Sequence, residues 1–150
     1  MLTPYHGMSC AWYRTIAVFV VLLLAATSAR PGMAADDTHS MQAIILAQME
    51  AFKRDDGAAA FAFASPGIRS MFGSAERFMH MVRSGYPQVY RPQSIEFRDV
   101  VEFRSAPAQV VHVIGQDGKA VLALYPMERQ PDGSWRINGC YLLKSPDAGA

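Results

Sequence analysis

Cysteine is scarce in this sequence. There are two in 150 residues, Cys10 and Cys140, which excludes a disulfide-dense scaffold. Charge of one sign is also missing: 14 Lys and Arg stand against 13 Asp and Glu. A nucleic-acid binder normally carries a clear basic excess, so no nucleic-acid partner is expected. Metal-ligand spacing is absent. His39, His80 and His112 never meet at i, i+4, and Cys140 has no Cys or His at finger-like distance, so no metal is expected. There is no Gly-x-Ser-x-Gly elbow, no Walker loop and no Gly-x-Gly-x-x-Gly turn, so no nucleotide or other cofactor is expected. No apolar run approaches the ~20 residues of a membrane span.

What is present begins with an apolar run. Arg14 and Thr15 precede Ile16–Ala26, eleven apolar residues, and no charge follows until Arg30. Small residues come next at Gly32, Ala34 and Ala35. A positive end, a short apolar centre and a small-residue site are the marks of a secretory signal peptide. Residues 1–35 are therefore expected to be a leader, cleaved near Ala34 or Ala35, and the protein to be periplasmic or secreted. The alternative is an uncleaved anchor, against which the short length argues. No stable membrane span is expected after cleavage. Residues 36–150 form one expected domain with a core over 41–143. They keep 12 basic and 13 acidic residues and one cysteine, so packing and not a disulfide must hold them together.

Helical spacing dominates the first half. Met41, Ile44, Ile45, Gln48, Met49 and Phe52 follow i, i+3, i+4, i+7, i+8, i+11, apolar except at Gln48. Asp37 or Thr38 is expected to cap this helix. A short helix fits 57–64, with Asp56 as its cap, and Ser65-Pro66-Gly67 breaks it. Ile68, Met71 and Phe72 make another apolar turn. Ser74 caps a helix over 75–84. Met71, Met79 and Met81 read as flexible core filling. The second half alternates instead. Strands are expected over 95–104, 110–114, 120–128 and 135–143, with turns at Gly115–Gly118 and Pro131–Gly133. Helices first and an antiparallel sheet afterwards argue α+β, with the helices packed on one face.

Longer strings carry a resemblance. They are Ala51–Asp56, Ala60–Ile68, Met81–Pro87, Val89–Pro92 and Met127–Cys140. Over nearly all of 41–143 they resemble the bacterial domain-of-unknown-function family 4864. The layout is also similar to the wider nuclear-transport-factor-2-like group, through its helical bracket and the closing Gly133-Ser134-Trp135-Arg136-Ile137. The first resemblance brings no catalytic residues. The second implies a cone of helices on a curved sheet, with a pocket between them, and leaves function open.

Two kinds of candidate site remain. Asp99 falls by simple alternation on the apolar face of Ile95, Phe97, Val101 and Phe103, where a raised pKa would make it a base. His80 or Tyr125, or Tyr86 or Tyr141, would then supply an acid, giving a cofactor-free isomerase or dehydratase. A bulge at Arg98–Val100 would instead turn Asp99 to solvent, which is cheaper than burying a lone carboxylate. The segment Tyr86–Pro92 is the better surface. Two prolines stiffen it, and Tyr86, Tyr90 and Arg91 offer amphipathic contacts. It serves equally as a structural crossover. Cys140 reads as a small buried thiol. The leading expectation is a non-catalytic module that binds a small apolar or anionic ligand, or a protein partner. A homodimer through the sheet face is a further reading. Intact-mass analysis of the exported protein is expected to find a chain beginning at Ala35 or Asp36.

Overall fold

The computed structural model describes residues 34–144; the expected leader lies outside that range. The described residues hold five helices followed by five strands. The expected α+β architecture, helices first and then a curved antiparallel sheet, is what they form.

Helix α1, Ala35–Lys53, buries Met41, Ile45, Gln48, Met49 and Phe52, the stripe its spacing predicts. It begins earlier than expected, with Ala34 at the N-cap position and no side-chain cap. Asp37 does not cap it. Its carboxylate accepts from Trp135 Nε1 at 3.2 Å and pairs with Arg129 at 3.4 Å, so a tertiary tie has taken the place of a local one. Gln48 fits an apolar stripe because its Nε2 donates to the Ala60 carbonyl at 3.0 Å. Helix α2, Gly57–Ala62, is capped by Asp56, which accepts from the Ala59 amide. Helix α3, Pro66–Phe72, is capped by Ser65, and α4, Ala75–Gly85, by Ser74. The expected crossover contains one more turn, α5, Pro87–Tyr90, with proline at its first position, where the missing N–H costs nothing.

The strands are β1 Ser94–Phe103, β2 Ala106–Ile114, β3 Ala120–Arg129, β4 Trp135–Ile137 and β5 Tyr141–Lys144. β1, β2 and β3 form an antiparallel meander. The expected last strand is two strands. β4 pairs with Met127–Arg129, β5 pairs with Val121–Leu124, and Asn138–Cys140 leave the ladder between them. Gly139 sits there at φ +138°, a conformation other residues rarely adopt. On the facing stretch of β3 stands Pro126, which has no N–H to donate and so suits a bend.

Cross-strand partners share a face. Register therefore puts Ile95, Phe97, Gln109, Val111, Val113, Ala123 and Tyr125 toward the helices. Val101, Phe103, Val110, Leu122, Leu124, Tyr141 and Leu143 lie on the far face, where Arg104 stacks over the Phe103 and Tyr141 rings. The helix-side core joins α1, α2, α4, α5 and the sheet, including Phe52, Ala60, Phe78, Val89 and Tyr125.

A three-part seam fastens the helices to the sheet. The Ser65 amide donates to the Ile137 carbonyl and the Ile137 amide to the Phe63 carbonyl, both at 2.9 Å. The Ser65 hydroxyl, fully buried, bonds Asn138 Oδ1 at 2.8 Å and accepts from the Ile68 amide. Ser65→Ala removes a helix cap and the bond to Asn138 in one change. It is expected to destabilise the fold by about 1–2 kcal/mol, read as a lower urea midpoint with an unchanged m-value.

Candidate functional site

A cavity of about 430 Å³ opens between the helices and the sheet. Its walls come from α1 (Gln48, Phe52), α3 (Ile68, Met71, Phe72), α4 (Phe78, Met81, Val82) and α5 (Val89). Its floor comes from Tyr125 of β3, Ile137 of β4 and the break residues Asn138–Cys140, with Tyr86 beside them. The break makes the floor. Had the last strand continued, a paired backbone would run past Tyr125; instead the chain steps away there. Cavities of this size and apolar character are the usual form of small-molecule sites.

Among the described residues, no charged side chain lines the cavity. The aromatic rings of Phe52, Phe61 and Phe72 each lie within 5.3–6.1 Å of Phe78, which therefore stands at the centre of the apolar wall. The other end is polar but neutral. Tyr125 is 1% exposed, and its hydroxyl makes no well-aligned hydrogen bond among the described residues. Burial pushes its pKa well up, and the neighbouring Cys140 and Tyr86 add to the rise. Burial also raises Tyr86, again with Cys140 close by. The Cys140 thiol is pushed up to about 12 by burial, against a smaller opposing pull from the Tyr125 hydroxyl. Cys140 is partly exposed as a residue while its sulfur faces this interior.

The sequence-derived candidates fall in three places. Tyr125 and Tyr86 line the cavity. Asp99 does not: a register shift between Phe97 and Val100 turns it outward, where it is exposed. Gln109 makes that bulge affordable by donating its Nε2 to the freed Arg98 carbonyl. His80 is exposed on α4 and lies outside the cavity lining. Asp99, His80 and Tyr125 are therefore not brought together. Tyr90 and Arg91 meet elsewhere, at Asp55. The Asp55 carboxylate accepts from the Tyr90 hydroxyl, from Arg83 Nη2 at 3.0 Å and from Arg91 Nη2 at 2.7 Å. Both guanidinium groups also lie over the Tyr90 ring. The Tyr90 bond, then Arg83 and Arg91, hold the Asp55 pKa below the usual carboxylate value. Asp55 occupies the left-handed position that closes α1, at φ 56°, with the Asp56 amide on the Ala51 carbonyl and its own amide on Phe52. This cluster clamps α5 to the end of α1. Met71, expected in the core, is 73% exposed at the cavity edge, because α3 buries none of its residues fully. Met79 is buried as expected.

Residues that sequence reasoning passed over include Gln48, Phe72, Phe78 and Asn138. Gln48 carried a signal, as the one polar residue on an apolar stripe. Among the described residues, no group of His, Cys, Asp and Glu is placed to hold a metal, and no helix is long and apolar enough to cross a membrane.

A family model described as a domain of unknown function, DUF4864, matches residues 34–150. No curated protein and no solved structure matches the chain. A thiol with its pKa near 12 is almost wholly protonated at pH 8. In the native protein Cys140 is expected to react with iodoacetamide on the order of a thousandfold more slowly than in the denatured chain. Peptide mapping after timed labelling reads this, and rapid native labelling would contradict the buried, neutral thiol.

Proposed function

The chain belongs to the DUF4864 family, and we propose that it is a non-catalytic module that takes up a small, largely apolar molecule in the cavity between its helices and its sheet. The observation that carries this is the cavity itself: about 430 Å³, walled by Phe52, Phe72, Phe78, Val82 and Val89. Burying an apolar surface there gains about 25 cal/mol for each Å² removed from water. An anionic ligand, the other expectation, has no cation in the lining to meet it. The acid–base alternative needs Asp99 beside a proton partner. Asp99 stands at the bulge, and among the described residues the ionisable groups lining the cavity are phenols and a thiol. The nuclear-transport-factor-2-like cone belongs to the same proposal, since helices cupping a curved sheet leave such a space. So does export, which rests on the leader alone.

N-phenyl-1-naphthylamine, which brightens in apolar surroundings, tests the proposal. The purified protein is expected to bind it saturably. Ala64→Leu and Val82→Phe, each of which enlarges a side chain lining the cavity, are expected to weaken binding at least tenfold while far-UV circular dichroism stays unchanged. Equal binding by all three proteins would place the probe elsewhere and defeat the proposal.

A further inference from the structure

The cavity has two unlike ends, and the difference constrains what fits. We infer that the ligand is an uncharged amphiphile: an apolar body with one hydrogen-bonding group, a carbonyl or hydroxyl, seated at the Tyr125 end. This rests on the cavity being a binding site.

Three observations converge. The first is charge. Among the described residues, none of the lining side chains is Asp, Glu, Lys, Arg or His. A carboxylate or ammonium group brought inside would lose its hydration and gain no counter-ion, at a cost far above that of a neutral group. The charge cluster of Asp55 with Arg83 and Arg91 is satisfied within itself and exposed.

The second is a poorly partnered donor. The Tyr125 hydroxyl is buried and makes no well-aligned hydrogen bond among the described residues; beside it stands the Cys140 thiol, a weak partner, and the residue is 1% exposed. Buried polar groups are nearly always bonded, and one that is not costs stability. β5 pairs Tyr141 with Leu124, so the next residue of β3, Tyr125, falls where the ladder opens at Cys140.

The third is the company it keeps. Tyr86 and Cys140 line the same end, and both stay protonated at neutral pH. The end therefore offers neutral donors and no anion. The Tyr125 hydroxyl is closed off in the ligand-free protein, so in the inferred complex the ligand oxygen takes the place of the Cys140 thiol beside it. Phe78 and Phe72 hold the apolar remainder at the other end.

An isosteric set of ligands tests this: acetophenone, isopropylbenzene and benzoate, each displacing N-phenyl-1-naphthylamine at pH 8. Acetophenone differs from isopropylbenzene by an acceptor, and benzoate differs by a charge. The ratio of their affinities removes the common apolar contribution. Acetophenone is expected to displace the probe, with benzoate at least about a hundredfold weaker. In Tyr125→Phe the acetophenone-to-isopropylbenzene ratio is expected to fall about tenfold; Tyr86→Phe lowers it less. Tyr125→Phe is also expected to keep or raise the urea midpoint of the ligand-free protein, since it deletes a buried hydroxyl whose neighbour is only a weakly bonding thiol. A ratio that Tyr125→Phe leaves unchanged, or benzoate competing as well as acetophenone, overturns the inference while leaving the cavity as a binding site. Failure of the probe itself to bind removes both, and is told apart by the absence of any fluorescence to displace.

Discussion

The architecture depends on the seam between residues Phe63–Ser65 and Ile137–Asn138. Two backbone hydrogen bonds and one side-chain bond join the end of the short second helix to the point where the last strand stops. Without it, α3 and α4 would have only side-chain packing to hold them over the sheet. With it, Ser65 caps α3 on one side and fixes Asn138 on the other. The helices are held at a distance from the floor that their own side chains do not fill. The cavity is thus a consequence of backbone hydrogen bonding, which is directional and cannot relax to close a gap as freely as apolar contacts can. Asn138, Gly139 and Cys140 belong at once to the seam, the strand break and the floor.

Charge is arranged around that interior and kept out of it. Asp37 draws Trp135 and Arg129 toward the start of α1, and Asp55 draws Tyr90, Arg83 and Arg91 toward its end. Both are exposed or partly exposed ties, modest in energy but specific in geometry. Because the folded protein lowers the Asp55 pKa, its contribution is present above the ordinary carboxylate pKa of about 4. It is lost as pH falls through the lowered value. The ties hold the two ends of one helix, and the neutral site lies between them. A protein that recognised anions through Arg83 or Arg91 would have to break the Asp55 contacts first.

Much of this was legible in the residues. The α1 stripe, the Asp56, Ser65 and Ser74 caps, the hairpin at Gly115–Gly118 and the antiparallel order all follow from periods of 3.6 and 2 and from local capping chemistry. The bulge at Asp99 was legible as an alternative, through the cost of burying a carboxylate. The split of the last strand was not. Trp135–Leu143 alternates well enough to read as one strand, and only Gly139 hints otherwise. The partners of Asp55 lie 28–36 positions away, so nothing local announces them, and Asp55-Asp56 reads as a simple cap. The cavity had no local signal either. It arises because four helices and an interrupted strand fail to fill a space, and no short window of sequence records a shared absence. Tyr125 sits in a strand that is apolar on both faces, so alternation could not say which way it pointed.

The central claim is that an open, apolar, charge-free space lies between the helices and the strand break. Crystals pressurised with xenon test it most directly, because xenon enters apolar cavities and ignores charged clefts. Xenon is predicted to bind in the space bounded by Phe52, Phe78, Val82 and Tyr125. Crystals that take up no xenon there, with the Phe72 or Met81 side chain occupying the space instead, would contradict the account.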